Sequence, residues 1–490
     1  MGVRRVGVRR ALLVMLALLM PAACGSRLPE KVLTRLDNAA LGANGNGTSV
    51  SGAPGAGGAA GPAAANGSTS AAGATGTGGG GTGAGQTGGA TAGATDTGAA
   101  AAADCHGGAT DTGVTADEIK VAAMVTASGP LPGATEGQYR GAASYLAKIN
   151  AEGGVCGRKF TIVEGDDGLD PQRARSEFLR LEPQVFAFVG NLAVADSGYI
   201  DLLESTKVPY VGVSVDPKGR PIESVVPHAD PAPGTHVANT GPYVYMLQKH
   251  PSATKVAFLY ADVGGVRANI GGSLEPLKKA GYQIVYGPSG AGTTSPDYTP
   301  EVINMQSSGA QMVYLFAFEV NMHIRMARSM RQQNFEPELK VSNIGYNSQL
   351  IKLLGDVANG WLNPIPHVPM LDASEPSVSP ALQEFLKWNT QLFPDSSVDL
   401  FPVNGWAAAA QFVRGLRELG PDVTRAKLVE AINAIPEDDG GGMIGTVFPA
   451  QRQGSPCFVI ERVEQQQWVR EYPASGFECN LGESFEWKDS

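Results

Sequence analysis

The chain has 490 residues, of which 43% are hydrophobic and 17% charged, and its formal net charge at neutral pH is −10. An acidic chain lacks the positive surface that binds phosphate backbones, so the composition argues against a nucleic-acid partner. It does not exclude a small ligand, because the charge of a binding site is local.

The N-terminal residues have the order of parts of a secretory signal, and we predict a signal peptide over residues 1–23. Its apolar run is too short to span a bilayer, which takes about 20 residues. A buried N-terminal helix is the alternative, but four arginines without an acidic partner fit it badly. The parts are the basic start, the apolar run and the small residues before a cysteine: Arg4, Arg5, Arg9 and Arg10, then Ala11–Met20, then Ala22, Ala23 and Cys24.

The sequence Pro-Ala-Ala-Cys at residues 21–24 resembles a bacterial lipobox. The resemblance implies that Cys24 becomes an acylated N-terminus that anchors the protein to the membrane. Pro21 departs from the pattern, because Leu is usual three residues before the cysteine. Cleavage to a free secreted protein is therefore the alternative, and the paired arginines leave both the general and the twin-arginine export routes open.

Residues 24–114 are predicted to hold the anchor site and a flexible linker. From Ala39 to Ala103 nearly every residue is Gly, Ala, Thr, Ser or Asn, and none is aromatic. Such a stretch cannot bury enough apolar surface to offset the entropy lost on ordering. We therefore expect a tether that holds a folded part away from the membrane.

From about Thr115 the composition is that of a globular protein, and short apolar runs alternate with amphipathic segments. Near-continuous apolar strands alternating with helices predict parallel sheets covered on both faces. The predicted strands are Ile119–Val125, Lys159–Glu164, Val185–Val189, Tyr210–Val213, Lys255–Tyr260, Tyr282–Tyr286, Gln311–Phe316, Glu338–Val341 and Cys457–Val463. The predicted helices are Glu136–Asn150, Gln172–Leu181, Ser197–Ser205, Gly241–Gln248, Gly265–Lys279, Tyr298–Ser307, Asn321–Gln332, Ser379–Leu392, Trp406–Leu419 and Thr424–Ala434.

This globular part exceeds one comfortable core, so the fold class is expected to be α/β with two Rossmann-like lobes. The parallel sheets of the lobes are flanked by helices, and more than one chain crossover forms the hinge. We assign residues 115–248 and 364–452 to lobe 1, and residues 249–363 and 453–490 to lobe 2. Ligands in open α/β sheets bind beyond the carboxyl ends of the strands, so a cleft between the lobes is the expected site.

Besides Cys24, the chain has four cysteines, an even number in a protein that we predict to be exported. Four cysteines allow three pairings. We favour Cys105–Cys156 and Cys457–Cys479, because the members of each pair are neighbours along the chain. Four buried free thiols are the alternative.

Several phrases between Ile119 and Leu181, and shortly beyond, resemble the leucine/isoleucine/valine-binding branch of the type I periplasmic binding proteins. They occur in order and with natural spacing. We judge that the resemblance covers the chain from about Thr115 to its C-terminus. The phrases are Ser128–Leu131 with Gly133, Gly141–Asn150 with residues 151–154 and 157–159, Asp166-Asp167 with Asp170-Pro171 and Ala174, Val189–Asn191, and Lys207–Tyr210.

The resemblance implies a solute-binding lipoprotein that delivers a small molecule to the permease subunits of an ABC importer. The lobes would close about a hinge around the solute. A ligand-sensing receptor, or a cell-envelope lipoprotein that acts through a protein partner, is the alternative on the same fold.

In that family, loops at the strand ends of both lobes contact the ligand. The loops correspond here to residues 128–135, 190–197, 214–216, 262–267, 318–321 and 345–347. Amino-acid binders usually have a Ser/Thr cluster in the second and third loops and an acid in the last, and this chain lacks both. We therefore expect a polar and aromatic pocket for a small polar or aromatic metabolite, such as an amino-acid-like compound or an amide. The candidate ligand-binding residues are Ser128, Asn191, Ser214, Asp216, Arg267, Phe318, Glu319, Tyr346 and Trp406.

No catalytic motif is present. The six histidines are scattered, and neither a metal-ligand spacing, a nucleophile elbow nor a phosphate-binding loop occurs. The sequence therefore predicts a protein that is not an enzyme and that has no cofactor and no metal.

Overall fold

The computed structural model describes residues 107–226, 237–375 and 379–487. The predicted signal peptide, Cys24, Cys105 and most of the predicted linker lie outside these residues. The described strands are β1 Glu118–Val125, β2 Lys159–Asp166, β3 Ala187–Asn191, β4 Tyr210–Gly212, β5 Val225–Val226, β6 Val237–Asn239, β7 Lys255–Ala261, β8 Gln283–Ala291, β9 Met312–Phe316, β10 Leu339–Ser342, β11 Trp361–Ile365, β12 Val459–Glu464, β13 Gln467–Tyr472 and β14 Ser484–Glu486.

The described helices alternate with most of these strands, as the sequence predicts. They are α1 Gly137–Ala151, α2 Pro171–Leu181, α3 Ile200–Thr206, α4 Gly241–Lys249, α5 Val266–Asn269, α6 Gly271–Lys279, α7 Thr299–Ser307, α8 Val320–Gln332, α9 Ser348–Leu354, α10 Pro380–Leu392, α11 Leu400–Leu419 and α12 Arg425–Asn433.

The first lobe is built on a five-stranded parallel sheet with the order β2-β1-β3-β4-β5. Its central strands are buried on both faces, which explains their near-continuous apolar sequence. One face packs against α1, α11 and α12 through Tyr139, Phe412 and Leu428. The other face packs against α2 and α3 through Phe178 and Leu203.

The second lobe is built on a seven-stranded sheet with the order β13-β12-β11-β10-β9-β7-β8. Five of its strands are parallel, and β12 and β13 complete it as an antiparallel hairpin. Helices α7, α8 and α9 cover one face, and α4 and α6 cover the other. A separate two-stranded sheet pairs β6 with β14.

Among the described elements, the chain passes between the lobes three times: from β5 to β6, from β11 to α10 and from α12 to β12. The fold class expected from the sequence, α/β with two lobes of helix-covered parallel sheet, is confirmed. Helix α4 lies in the range that we assigned to lobe 1. Its Tyr243 and Met246 nevertheless pack with the apolar residues of the second sheet.

Side-chain caps fix where several helices begin. Asp170 accepts hydrogen bonds from the backbone N–H groups of Gln172 and Arg173, both at 2.8 Å, and Pro171 opens the helix. Glu319 caps α8 in the same way, through the N–H groups of Asn321 and Met322. The caps therefore set the start of helices that follow strands at the edge of the cleft.

Two predicted helices differ clearly in extent from the structure, and helix α9 was not predicted from the sequence. The single helix predicted over residues 265–279 is divided at Ile270, whose N–H bonds to the carbonyl of Arg267 only three residues back. Gly271 and Gly272 follow at this point, and glycine favours a helix interior poorly. Helix α11 starts at Leu400 rather than Trp406, and Asp399 caps it. Pro402 does not prevent this start, because it lies in the first turn, where no backbone N–H is needed.

The predicted disulfide Cys457–Cys479 is present. Cys156 is also in a disulfide. Its predicted partner, Cys105, lies outside the described residues, so that pairing stays a prediction.

Candidate functional site

A cavity of about 190 Å³ lies between the lobes, beyond the carboxyl ends of both parallel sheets. This edge is where open α/β sheets bind ligands, because the loops of neighbouring strands converge there. From the first lobe, the residues that line it after β1, β3 and β4 are Leu131, Ala134, Thr135, Leu192, Val194, Val213, Ser214 and Val215. From the second lobe, the residues at or after the ends of β7, β9 and β10 are Val263, Val266, Phe316, Ala317, Glu319 and Ile344.

The wall of this cavity is mainly apolar. Aliphatic side chains come from both lobes, and Phe401 of α11 and Trp487 of the C-terminal segment add aromatic rings. Among the lining residues that the structure describes, the polar ones are Thr135, Ser214, Arg220, Asn269 and Glu319. A cavity of this kind excludes water from a ligand's apolar body and leaves few groups to recognise a polar one.

The polar side chains of the wall already have partners within the protein. The hydroxyl of Thr135 donates to the carbonyl of Leu192 at 2.5 Å, and the hydroxyl of Ser214 donates to Asp196 at 2.8 Å. The carboxylate of Glu319 accepts two backbone N–H groups at the start of α8, both at 2.7 Å. Both hydroxyls can therefore accept a hydrogen bond from a ligand but have no proton left to donate.

Buried carboxylates behind the wall hold the loops of the first lobe. Asp196 accepts hydrogen bonds from Ser214 and from the N–H groups of Val215 and Asp216, at 2.7 to 2.9 Å. Burial raises the pKa of Asp196 to about 7, and these three hydrogen bonds oppose that rise. Asp196 therefore fixes the loop after β4, although it does not line the cavity itself.

Asp166 and Asp167 hold the other two loops. Asp166 accepts from the N–H groups of Ala127 and Ser128, at 2.9 and 3.1 Å, and Asp167 accepts from Ala195 at 2.8 Å. The acidic pair that the sequence marks at the end of β2 thus positions the loops after β1 and β3.

The lobes touch at the mouth of the cavity. Asn269 of α5 donates its side-chain N–H to the carbonyl of Val215 in the first lobe at 2.8 Å. Its side-chain oxygen accepts a hydrogen bond from the guanidinium of Arg220, which also belongs to the first lobe. Asn269 therefore bridges the two lobes, and the cleft is in a closed arrangement.

Of the nine residues proposed from the sequence as ligand contacts, the structure brings Ser214 and Glu319 together at the cavity. Ser128 lies nearby, where its hydroxyl accepts from Arg173. Arg267 is on the exposed side of α5, away from the lining residues Val266 and Asn269.

The other five have structural partners outside the cavity wall. Asn191 joins β1 to β4, because its side chain bonds to the backbone of Met124 and Val211. Asp216 caps the short turn at residues 217–219. The remaining three are buried aromatic residues within packed cores: Phe318 against Tyr298, Tyr346 against Trp468, and Trp406 against Tyr145.

The expected loops thus supply the wall, but mostly through aliphatic residues rather than the polar and aromatic residues expected from the sequence. Leu192, Val194 and Val263 lie in these loops and line the cavity. Aliphatic residues in the loops that directly follow the strands are the sequence feature that could have identified them. Arg220, Asn269 and Trp487 carried no such signal.

Within the described ranges, no group of three His, Cys, Asp or Glu side chains is arranged to hold a metal ion. In the same part of the chain, no helix has both the length and the apolar character needed to cross a membrane.

Comparison with known proteins gives a family match over most of the chain. A family model described as "Periplasmic binding protein" matches residues 118–467. The Leu/Ile/Val-binding protein homolog 7 of Brucella abortus (strain 2308) is 25% identical over 356 residues, which cover 68% of this chain and 84% of that protein. The Leu/Ile/Val-binding protein of Escherichia coli (strain K12) is 42% identical over 59 residues, so the matched segment spans only 16% of that relative and 12% of this chain.

Solved structures share the fold. A fatty acid ABC transporter substrate-binding protein from Thermomonospora curvata superposes with a TM-score of 0.62 at 18% identity, covering 78% of this chain and 95% of that one. A leucine binding protein from Thermotoga maritima has a TM-score of 0.59 at 16% identity, covering 72% of this chain and 98% of that one.

Proposed function

Because this chain belongs to the periplasmic binding protein family, we propose that it captures a small solute in the cavity between its lobes and delivers it to the permease of an ABC importer. Members of this family are solute-binding proteins that work outside the cytoplasm, and they are not enzymes. The observation that carries the proposal is the cavity at the carboxyl ends of both sheets, to which both lobes contribute.

The proposed solute is a carboxylic acid with an apolar aliphatic or aromatic body. Aliphatic walls from both lobes favour an apolar body over the small polar metabolite expected from the sequence. The hydroxyl groups of Thr135 and Ser214 donate to the protein, so neither can donate to a ligand carboxylate. Arg220 is the one cation among the described lining residues and suits a carboxylate end. The fatty-acid-binding neighbour from Thermomonospora curvata agrees with this class.

The proposed location is the outer face of the cell membrane, to which acyl chains on Cys24 would anchor the protein. The order of basic, apolar and small residues before Cys24 supports this proposal. Labelling with a radioactive fatty acid in the native host should mark the wild-type chain and leave a Cys24→Ser variant unmarked. An unmarked wild type would instead support the freely secreted form.

A thermal-unfolding screen tests the ligand class. The purified protein is heated with octanoate, decanoate, phenylacetate, leucine, glutamine and spermidine in separate samples. A ligand at a hundred times its dissociation constant should stabilise the folded state by about 2.7 kcal/mol. We expect a saturable rise in melting temperature with the carboxylates that have an apolar body. A rise with leucine or glutamine alone would contradict the proposed class, and no rise with any compound would favour a role through a protein partner.

A matched pair of variants tests the place of binding. Leu192 lines the cavity, whereas Leu179 lies on the outer surface of α2 with 54% of its area exposed. Leu192→Asp puts an unpaired charge in the apolar wall and should abolish the thermal shift, because the charge must lose water on ligand binding. Leu179→Asp should bind like the wild type. Equal binding by both variants would show that the solute sits elsewhere.

A further inference from the structure

The C-terminal strap, residues 483–487, is fixed to the second lobe. Strand β14 pairs with β6, and Lys279 of α6 forms an ion pair with Glu483 at 3.3 Å. The ammonium of Lys279 also lies 4.8 Å from the centre of the Phe485 ring. These contacts hold the strap along α6, so that its last residue, Trp487, reaches the cavity.

Trp487 has a defined seat there. Its side chain is 8% exposed and lies against the first turn of α6. A Cβ atom on Gly271 would overlap the indole ring, whereas a Cβ on Gly272 would meet only the ring atom Cζ2 at 3.9 Å. Glycine at position 271 is therefore what lets the indole pack directly on the helix backbone.

From this seat Trp487 extends the contact between the lobes. The guanidinium of Arg220, in the first lobe, lies 5.8 Å from the centre of the indole ring, within the range of a cation–π interaction. The same guanidinium donates to Asn269, which also bonds to the carbonyl of Val215. Trp487 and Asn269 of the second lobe thus hold Arg220 of the first from two sides.

We propose that the C-terminal strap is the latch of the cleft. The side chain of Trp487 forms part of the cavity wall and contacts the bound solute. Through its contact with Arg220 it also stabilises the closed arrangement of the lobes. The solute contact rests on the proposed function, since it requires that this cavity hold the solute. The latch itself requires only that Trp487 stabilise the closed arrangement. Loss of the indole, or of its seat, should open the cleft and weaken binding.

The two adjacent glycines offer a matched test. Gly271→Ala should displace Trp487 and reproduce the effect of Trp487→Ala. Gly272→Ala makes the same chemical change one residue later in the same helix and leaves the indole in place. Any general effect of alanine on α6 is common to both glycine variants. Because Gly272 also lines the cavity, the two variants are compared by the distance between the lobes, without a ligand.

The first measurement needs no ligand. Spin labels are attached to Leu179→Cys in the first lobe and Ile303→Cys in the second, in a Cys24→Ser background, because both positions are exposed. Double electron–electron resonance then gives the distance between the lobes. Trp487→Ala and Gly271→Ala should broaden and lengthen the distribution relative to the wild type and Gly272→Ala. The same distribution in all four proteins would overturn the latch, whether or not any solute binds.

The second measurement uses decanoate and isothermal titration calorimetry on the unlabelled proteins. Loss of a buried tryptophan at the centre of a binding site typically weakens binding at least about tenfold. We expect that increase in dissociation constant for Trp487→Ala and Gly271→Ala, and a wild-type value for Leu179→Asp, whose side chain lies on the exposed surface of α2. Equal dissociation constants in all variants would overturn the solute contact of Trp487. Longer distances between the lobes without any decanoate binding would support the latch and contradict the proposed solute class instead.

Discussion

Asp196 lies behind the cavity wall and sets its shape without lining it. The carboxylate is buried and accepts the hydroxyl of Ser214 and the N–H groups of Val215 and Asp216. Two of these partners, Ser214 and Val215, line the cavity. A buried backbone N–H that loses its acceptor keeps the full cost of having lost water.

We therefore expect Asp196→Ala to lower the free energy of unfolding by about 1–3 kcal/mol, because two partly buried N–H groups lose their acceptor. Urea unfolding measures this change. Asp201→Ala is the control, since that carboxylate pairs with Arg175 at the surface and should matter little. An Asp196→Ala protein as stable as the control would show that the loop after β4 is held by other contacts.

Glu461 is a second buried carboxyl group, within the core of the second lobe. It lies across from Asn363 on β11, and neither of its carboxyl oxygens has a hydrogen-bond partner among the described residues. Burial raises its pKa to about 9, and the negative charge of Asp372 adds to that rise. At neutral pH this side chain is therefore protonated in the folded protein.

This raised pKa makes stability depend on pH in a defined direction. The folded state holds the proton of Glu461 up to about pH 9, whereas the unfolded chain releases it near the ordinary glutamate value of about 4.3. The contribution to stability is thus full below the lower value and is lost as pH rises toward the upper one. Urea unfolding from pH 5 to 9 should show Glu461→Gln gaining on the wild type as pH rises. Parallel curves for the two proteins would contradict the raised pKa.

Among the helices, α1 and α11 cross with almost no space between their backbones. A Cβ on Gly405 would overlap the carbonyl of Gln138, and a Cβ on Gly141 would overlap the carbonyl of Pro402. Glycines at the crossing let α11, which comes late in the chain, pack closely on the first helix of the same lobe. The crossing joins the two halves of the first lobe, which are distant in sequence.

Gly405→Ala should force these helices apart and lower the free energy of unfolding by about 1–3 kcal/mol, as overpacked cores do. Thermal unfolding followed by circular dichroism measures the loss. Gly272→Ala serves again as the control, because it adds a methyl group to a helix without a close neighbour. If both variants melt together, the crossing has room that the backbone distances do not suggest.

The elements could be predicted where local sequence decides them. Strands such as β1 and β9 are nearly continuous apolar runs, and the sequence Asp170-Pro171 predicts the start of α2. Elements that depend on distant partners were missed. Strands β6 and β14 are three residues each and exist through their pairing with one another, and β11 is completed by β10 and β12.

The same division applies to the site. The loops could be located from the sequence because the ends of parallel strands share one edge of a sheet. The residues that face the cavity could not, because a loop side chain such as Tyr346 turns into the core or into the cleft according to packing from other elements. Trp487 reaches the cavity only through the pairing of β14 with β6.

Considered as a whole, the molecule divides into lobes that are not continuous in sequence. The first sheet is complete by Val226, yet α11 and α12, which cover one of its faces, end at Leu419 and Asn433. Until those helices have been synthesised, the rings of Phe160 and Phe186 lack Phe412 of α11, which they contact in the folded lobe. A growing chain with more than two hundred further residues still to be made therefore exposes apolar surface on this face of the sheet and is prone to aggregate. Biogenesis of this protein should depend on a holdase chaperone that shields this face until translation is nearly finished.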